Sequence, residues 1–266
     1  MSKQVKILFT VIIVSVIIAM GVWAYLFLEK PDLNKLNFVQ NSVALSIARR
    51  FEQKINSLPK DERVIVDYDS LMNSLNFIQR NFAERIFAIK PAKLGFKGPF
   101  YSLEKATDLI KIPSHKLGSG RETGVQFCPE HSYKDYLKMV HQMKKDIGKT
   151  LFIDSGYRSP GRQAYLFFHY LPGNNFSLTQ NAKWIAMPGY SQHGDPVDNA
   201  IDFTNAEGIN GFSDGQTAKD FANLPEYAWM LKNANKYNFY LSYPENNKWG
   251  VEFEPWHWHW EKKSKK

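Results

Sequence analysis

Apolar and polar positions fall into three regimes along the chain. From Ile7 to Leu28, 22 consecutive residues carry no charge and are dense in Val, Ile, Leu and Phe. At 1.5 Å rise per residue, about 20 such positions cross the hydrocarbon core of a bilayer, so the run predicts a membrane span over residues 7–28. A cleavable leader would have a shorter apolar stretch of about 7–15 residues and small residues at its end. This run instead closes on Trp23, Tyr25, Leu26, Phe27 and Leu28, which predicts an uncleaved anchor. Lys3 and Lys6 precede it, so residues 1–6 are expected in the cytoplasm and everything after the span on the periplasmic or cell-wall side.

Residues 29–98 form the second regime. Ala44, Ile47, Ala48, Phe51 and Ile55 recur at helical spacing, as do Leu71, Leu75, Ile78, Phe82 and Ile86. The charged break that begins at Leu58-Pro59-Lys60 would let these two amphipathic helices fold back as an antiparallel hairpin, a helical stem whose stripes pack on each other or on the C-terminal domain. Pro91, Gly95, Gly98 and Pro99 end the periodicity and set the start of that globular domain, residues 99–262.

In that third regime helix and strand patterns alternate. Tyr133, Tyr136, Leu137, Val140, Met143 and Ile147 make one face of a helix that Gly148 could stop. A short strand is expected at Thr150–Ile153, a helix opened by Pro160 and running through Tyr170, and another strand at Ile201–Phe203. A helix is expected from Pro225 through Tyr237, and then a hairpin pairing Phe239–Tyr243 with Trp249–Phe253 about the turn Pro244–Asn247. Together these give an α+β domain with no Gly-rich phosphate loop.

Composition narrows the chemistry. The net charge of +8 suggests nucleic acid until it is located: Lys3 and Lys6 carry +2 and the tail from Glu261 to Lys266 carries +3, so only +3 remains for the rest, which argues against a dedicated nucleic-acid surface. One cysteine, Cys128, excludes an internal disulfide and the cysteine-based zinc modules, so any metal must use His and carboxylates.

Of the seven histidines, His115, His131, His141 and His169 read as surface or structural. His193 lies in Ser191-Gln192-His193-Gly194-Asp195-Pro196-Val197-Asp198-Asn199-Ala200-Ile201-Asp202, and His257 and His259 lie in Glu254-Pro255-Trp256-His257-Trp258-His259-Trp260. A zinc hydrolase needs three protein ligands, one open position and a carboxylate to take a proton from water; these two stretches contain all four protein groups.

With Ser155-Gly156-Tyr157-Arg158-Ser159 upstream, this order of motifs resembles the VanY-type D-alanyl-D-alanine carboxypeptidases, of the zinc peptidase group that includes lysostaphin-type enzymes and the Hedgehog fold. The resemblance covers about Tyr133 to Trp260. It implies a small antiparallel sheet with flanking helices, Zn²⁺ held by His193, Asp202 and His257, Glu254 as catalytic base and Arg158 contacting the substrate, with Gln163 matching a Gln the family often carries. Ser191, Tyr190 and Trp256 are further candidates for substrate contact. The implied activity is removal of the terminal D-Ala from peptidoglycan stem peptides, with an endopeptidase of the same group or a zinc-retaining, non-catalytic wall-binding module as alternatives.

The chain departs from the family pattern twice. His193 and Asp202 stand nine positions apart where the family usually has seven, which makes Asp195 and Asp198 rival ligands; the family-like wording around Asp202 favours it. His259 shares a strand face with His257 and is a second candidate there. Strict alternation would also put Glu254 and His257 on opposite faces, a conflict that a bulge or strand start at Pro255 would relieve.

Overall fold

The computed structural model describes residues 3–262 apart from Asp214. The first two residues of the expected cytoplasmic segment and the last four of the basic tail lie outside the described residues. The apolar run forms α1 (Lys3–Leu28), a helix long and apolar enough to cross a membrane, with mean hydropathy 2.7.

The stem contains α2 (Phe38–Asn56), α3 (Tyr68–Met72) and α4 (Phe77–Phe87). The second expected helix is therefore two. Asn76 accepts from the Gln79 N–H at 2.9 Å while the Gln79 side chain accepts from the Asn76 N–H at 3.0 Å, and this reciprocal cap starts a new helix after the turn at Ser74 and Leu75.

The remaining elements are β1 (Leu109–Ile112), β2 (Gln126–Pro129), α5 (Glu130–Ile147), β3 (Leu151–Ser155), α6 (Pro160–Tyr170), α7 (Leu178–Ala182), β4 (Ala200–Asn205), α8 (Ala218–Ala222), α9 (Pro225–Asn233), β5 (Phe239–Leu241) and β6 (His257–Trp260). Strands β1 and β2 pair alone; the main sheet is antiparallel in the order β3-β4-β6-β5. The α+β architecture matches the expectation. Helix α5 stops at Gly148, which takes the left-handed conformation (φ 68°) that costs glycine little.

The expected hairpin is not formed. β5 pairs with β6, Phe239 opposite Trp260, because the backbone of residues 249–252 is engaged elsewhere: Trp249 O accepts from Lys97 N and Glu252 N donates to Lys183 O. On β6 the alternation sends Trp258 and Trp260 into the core shared with α5 and α9, and leaves His257 and His259 on the other face.

A second core joins the stem to the globular part. Ile47, Phe51, Phe82 and Ile86 of the stem are fully buried together with Ala164, Phe167, Phe168 and Leu171 at α6. Phe51 meets Phe168 edge-on, ring centres 6.1 Å apart. Bonds to stem carbonyls reinforce the seam: Ser159 N donates to Val64 O, and Ser159 Oγ to Val66 O at 2.6 Å.

Candidate metal centre

The two central strands bring the motifs together. Asp202 on β4 stands opposite His257, the first residue of β6, and its Oδ1 lies 2.8 Å from His257 Nδ1. His193 comes from a single 3-10 turn, Gln192–Gly194, tied to the preceding Arg158 loop by Arg158 N donating to His193 O. Its Nε2 lies 3.0 Å from Asp202 Oδ2. All three residues are buried, and one ligand atom from each falls within 4.8 Å of the others.

Proton positions on the two rings are set by their outer partners. His193 Nδ1 lies 2.8 Å from Gly156 O, and a carbonyl can only accept, so Nδ1 carries the proton and Nε2 turns a lone pair toward the Asp202 carboxylate. No donor reaches that Nε2. His257 Nε2 donates to Gln192 Oε1 at 2.9 Å, leaving its Nδ1 lone pair toward the same carboxylate. Burial pushes the His257 pKa down to about 4, so the ring is neutral near pH 7. Burial works against ionising Asp202, and only a proton on one of the facing ring nitrogens would pull its pKa below the usual 3.8. Two lone pairs and a carboxylate thus converge with no proton between them, an arrangement that repels itself unless a cation sits there. The N,N,O donor set suits Zn²⁺.

Glu254 precedes β6 across a turn closed by His257 N donating to Glu254 O, which frees it from strand alternation and brings its carboxylate 3.7 Å from His257 Nδ1. Burial, with the Asp202 charge beside it, raises its pKa well above the usual 4.5, while Arg158 opposes the shift. The guanidinium of Arg158 faces the same cleft and makes no ion pair or hydrogen bond with a described side chain; its Nε is buried and unpartnered. Its turn is clamped on both sides: a Cβ at Gly156 would collide with Phe127 O and Cys128 Sγ, and one at Gly161 with Val66 O.

Arg158, Gln163, Ser191, Trp256 and the His193–Asp202–His257 group all line one cleft of about 610 Å³. Gln163 donates to Ala186 O and keeps a buried, unpartnered Oε1. Tyr190 does not line the cleft; it packs edge-on against Phe96 and Phe100. The rival carboxylates lie apart from the group: Asp195 Oδ1 accepts from the N–H groups of Val197 and Asp198, holding the inserted loop closed. His259 turns to Ser242 Oγ at 3.0 Å and to Glu261.

Sequence reasoning missed Gln192, which orients His257, and Tyr243, whose ring centre lies 4.7 Å from that of His257. Gln192 is adjacent to His193 and could have been suspected. Tyr243 had no motif to mark it; burial next to Glu254 raises its hydroxyl well above the usual 10.

A family model described as VanY, D-alanyl-D-alanine carboxypeptidase, matches residues 128–263. The chain is similar to the putative carboxypeptidase YodJ of Bacillus subtilis (strain 168), 34% identical over 128 residues that cover 46% of this chain and 42% of that protein. It is also similar to a D-alanyl-D-alanine carboxypeptidase of Enterococcus faecium, 27% identical over 180 residues, 65% of this chain and 52% of that one. The chain thus spans about half the length of the curated relatives it matches. Among solved structures, the LdcB LD-carboxypeptidase aligns with TM-score 0.46 and 25% identity over 60% of this chain and 72% of that one.

Proposed function

The chain belongs to the VanY family of D-alanyl-D-alanine carboxypeptidases, and from that membership we propose that it is a zinc-dependent D,D-carboxypeptidase removing the terminal D-Ala of peptidoglycan stem peptides. Residues 7–28 anchor it, residues 1–6 stay in the cytoplasm, and the stem (29–98) and peptidase domain (99–262) work outside. The observation that carries the reading is the convergence of two imidazole lone pairs and the Asp202 carboxylate beside the buried carboxyl of Glu254.

His193, Asp202 and His257 would hold the metal; when bound, Zn²⁺ supplies Lewis acidity that acidifies water and polarises a carbonyl. Arg158 binds the substrate's terminal carboxylate through its planar two-donor fork and so fixes which peptide bond reaches Glu254. Glu254 accepts a proton from the attacking water, whose oxygen bonds to the carbonyl carbon; as the C–N bond breaks, Glu254 returns that proton to the leaving nitrogen. Its buried setting favours the protonated form it must pass through. Gln163, Ser191 and Trp256 shape the cleft around the peptide.

Mass spectrometry of muropeptides incubated with the zinc-loaded full chain tests this. Loss of one Ala mass is expected. An internal cut would make it an endopeptidase, and unchanged peptides would leave a binding module.

A further inference from the structure

The anchor helix does not end in a loose tether. The last turn of α1 has carbonyls with no partner inside the helix, and the stem satisfies them. Asn37 Nδ2 donates to Leu26 O at 2.7 Å, Arg85 donates to Phe27 O at 2.8 Å and Leu28 O at 3.2 Å, and both Arg85 and Gln40 donate to Glu29 O. Phe27 is buried in the stem core, its ring 6.1 Å from Phe82 and under the Arg85 guanidinium. The helix that leaves the bilayer is therefore docked on α2 and α4, and through their shared core on α6.

The next residues of the chain support a wall of the cleft. Thr179 N donates to Leu33 O at 3.0 Å, Thr179 Oγ1 to Asn34 Oδ1 at 2.9 Å, and Leu36 N to Phe176 O at 3.1 Å. These contacts hold the segment that carries α7, whose neighbours Gly173, Asn174, Lys183 and Trp184 line the same cleft as Arg158 and His193. Even at full extension, the five residues from Leu28 to Leu33, with one helical turn from Thr179 to Lys183, place that wall no more than about 30 Å from the end of the span.

We infer that the cleft is held at a fixed height close to the bilayer and that its substrates are peptide ends carried on a membrane-bound donor, in preference to the same peptides free in solution or far out in the wall. The inference rests on the anchoring and the peptidase activity proposed above. A flexible tether would sweep a large volume; a docked one confines the site to a thin layer, where a donor tethered in the same membrane has a high effective concentration.

Two measurements on the full chain in lipid vesicles test it. In the first, a donor dye on Trp184→Cys, selective because Cys128 is fully buried, transfers energy to acceptor-labelled headgroups. Strong transfer is expected, falling in the Arg85→Ala/Asn37→Ala double variant. Background transfer in the otherwise unaltered protein overturns the membrane-proximal placement, and failure of the protein to float with vesicles overturns the anchoring and the inference with it.

In the second, a pentapeptide ending in D-Ala-D-Ala is coupled to lipid through spacers of increasing length. The shortest spacer should be cut fastest, and a fourfold longer one about eightfold slower. No cleavage on the short spacer with cleavage on the long one overturns the inference, as does a free peptide cut equally well. Cleavage of neither tethered nor free peptide would remove the proposed reaction, and the transfer measurement, which needs no turnover, still decides the height.

Discussion

Phe51 lies in the stem, far along the chain from every residue of the candidate metal site, yet replacing it with Ala should destabilise the domain that holds them. Its side chain is fully buried and packs edge-on against Phe168 of α6. Truncating a buried Phe to Ala costs about 3–5 kcal/mol, the lost transfer energy plus the cavity left behind. Against a total stability of about 5–15 kcal/mol that is a large share. Six of the seven tryptophans, from Trp184 to Trp260, lie beyond the stem, so urea unfolding followed by Trp fluorescence reports mainly the globular part. If stem and globular part share one cooperative core, Phe51→Ala should lower that fluorescence midpoint by about 1–2.5 M urea, taking a slope of about 2–3 kcal/mol per M. A fluorescence midpoint that stays in place while helical circular dichroism is lost earlier would refute the reasoning and make the stem a separate folding unit.

The candidate metal site and the sheet beside it give three more expected outcomes. Zinc titration of Asp202→Ala should show severely weakened binding, while Asp195→Ala and Asp198→Ala keep the metal; zinc loss confined to Asp198→Ala would move the ligand into the inserted loop. Glu254→Gln should retain zinc, measured by metal analysis, and lose turnover by orders of magnitude, since the amide keeps the shape and cannot take the proton. Asp135 is partly buried, which works against its charge, yet donors from Lys138, Asn238 and Trp260 hold its pKa below the usual 3.8. Its stabilisation is therefore full above about pH 4 and drains as pH falls through the lowered folded value; Asp135→Asn should be less stable at pH 7 and lose less on acidification, read from urea midpoints across that range.

Period and punctuation made much of the fold legible. The helix that Gly148 stops, the Pro160 helix and the Ile201–Phe203 strand all stand where local signals put them. The break at Asn76 was missed because apolar spacing continues across it, although the Asn76/Gln79 pair is a readable cap. β1 and β2 are four residues each and pair only with one another, too short for alternation to show. The shared core was also hidden: Ala164 to Phe168 are five consecutive buried residues, a run that buries α6 on several sides and demands a partner without saying which. At the candidate metal site, the grouping of His193, Asp202 and His257 beside Glu254 followed from the family resemblance, whose motifs are local in the sequence. Tyr243 and the Gly156 carbonyl take part only through tertiary contact, which no spacing records.

The two glycines around Arg158 bear on how this cleft can change over evolutionary time. With Phe127 O and Cys128 Sγ against one and Val66 O against the other, the turn between them surrenders its backbone freedom during folding, and little remains to be lost on binding the carboxylate proposed for Arg158. Differences in affinity between ligands should then appear mainly as heat, not entropy, in calorimetry. The same rigidity closes one route of adaptation: neither glycine can acquire a side chain without displacing main chain, so a new ligand preference has to arise elsewhere in the cleft lining, where Trp184 and Phe212 are half exposed.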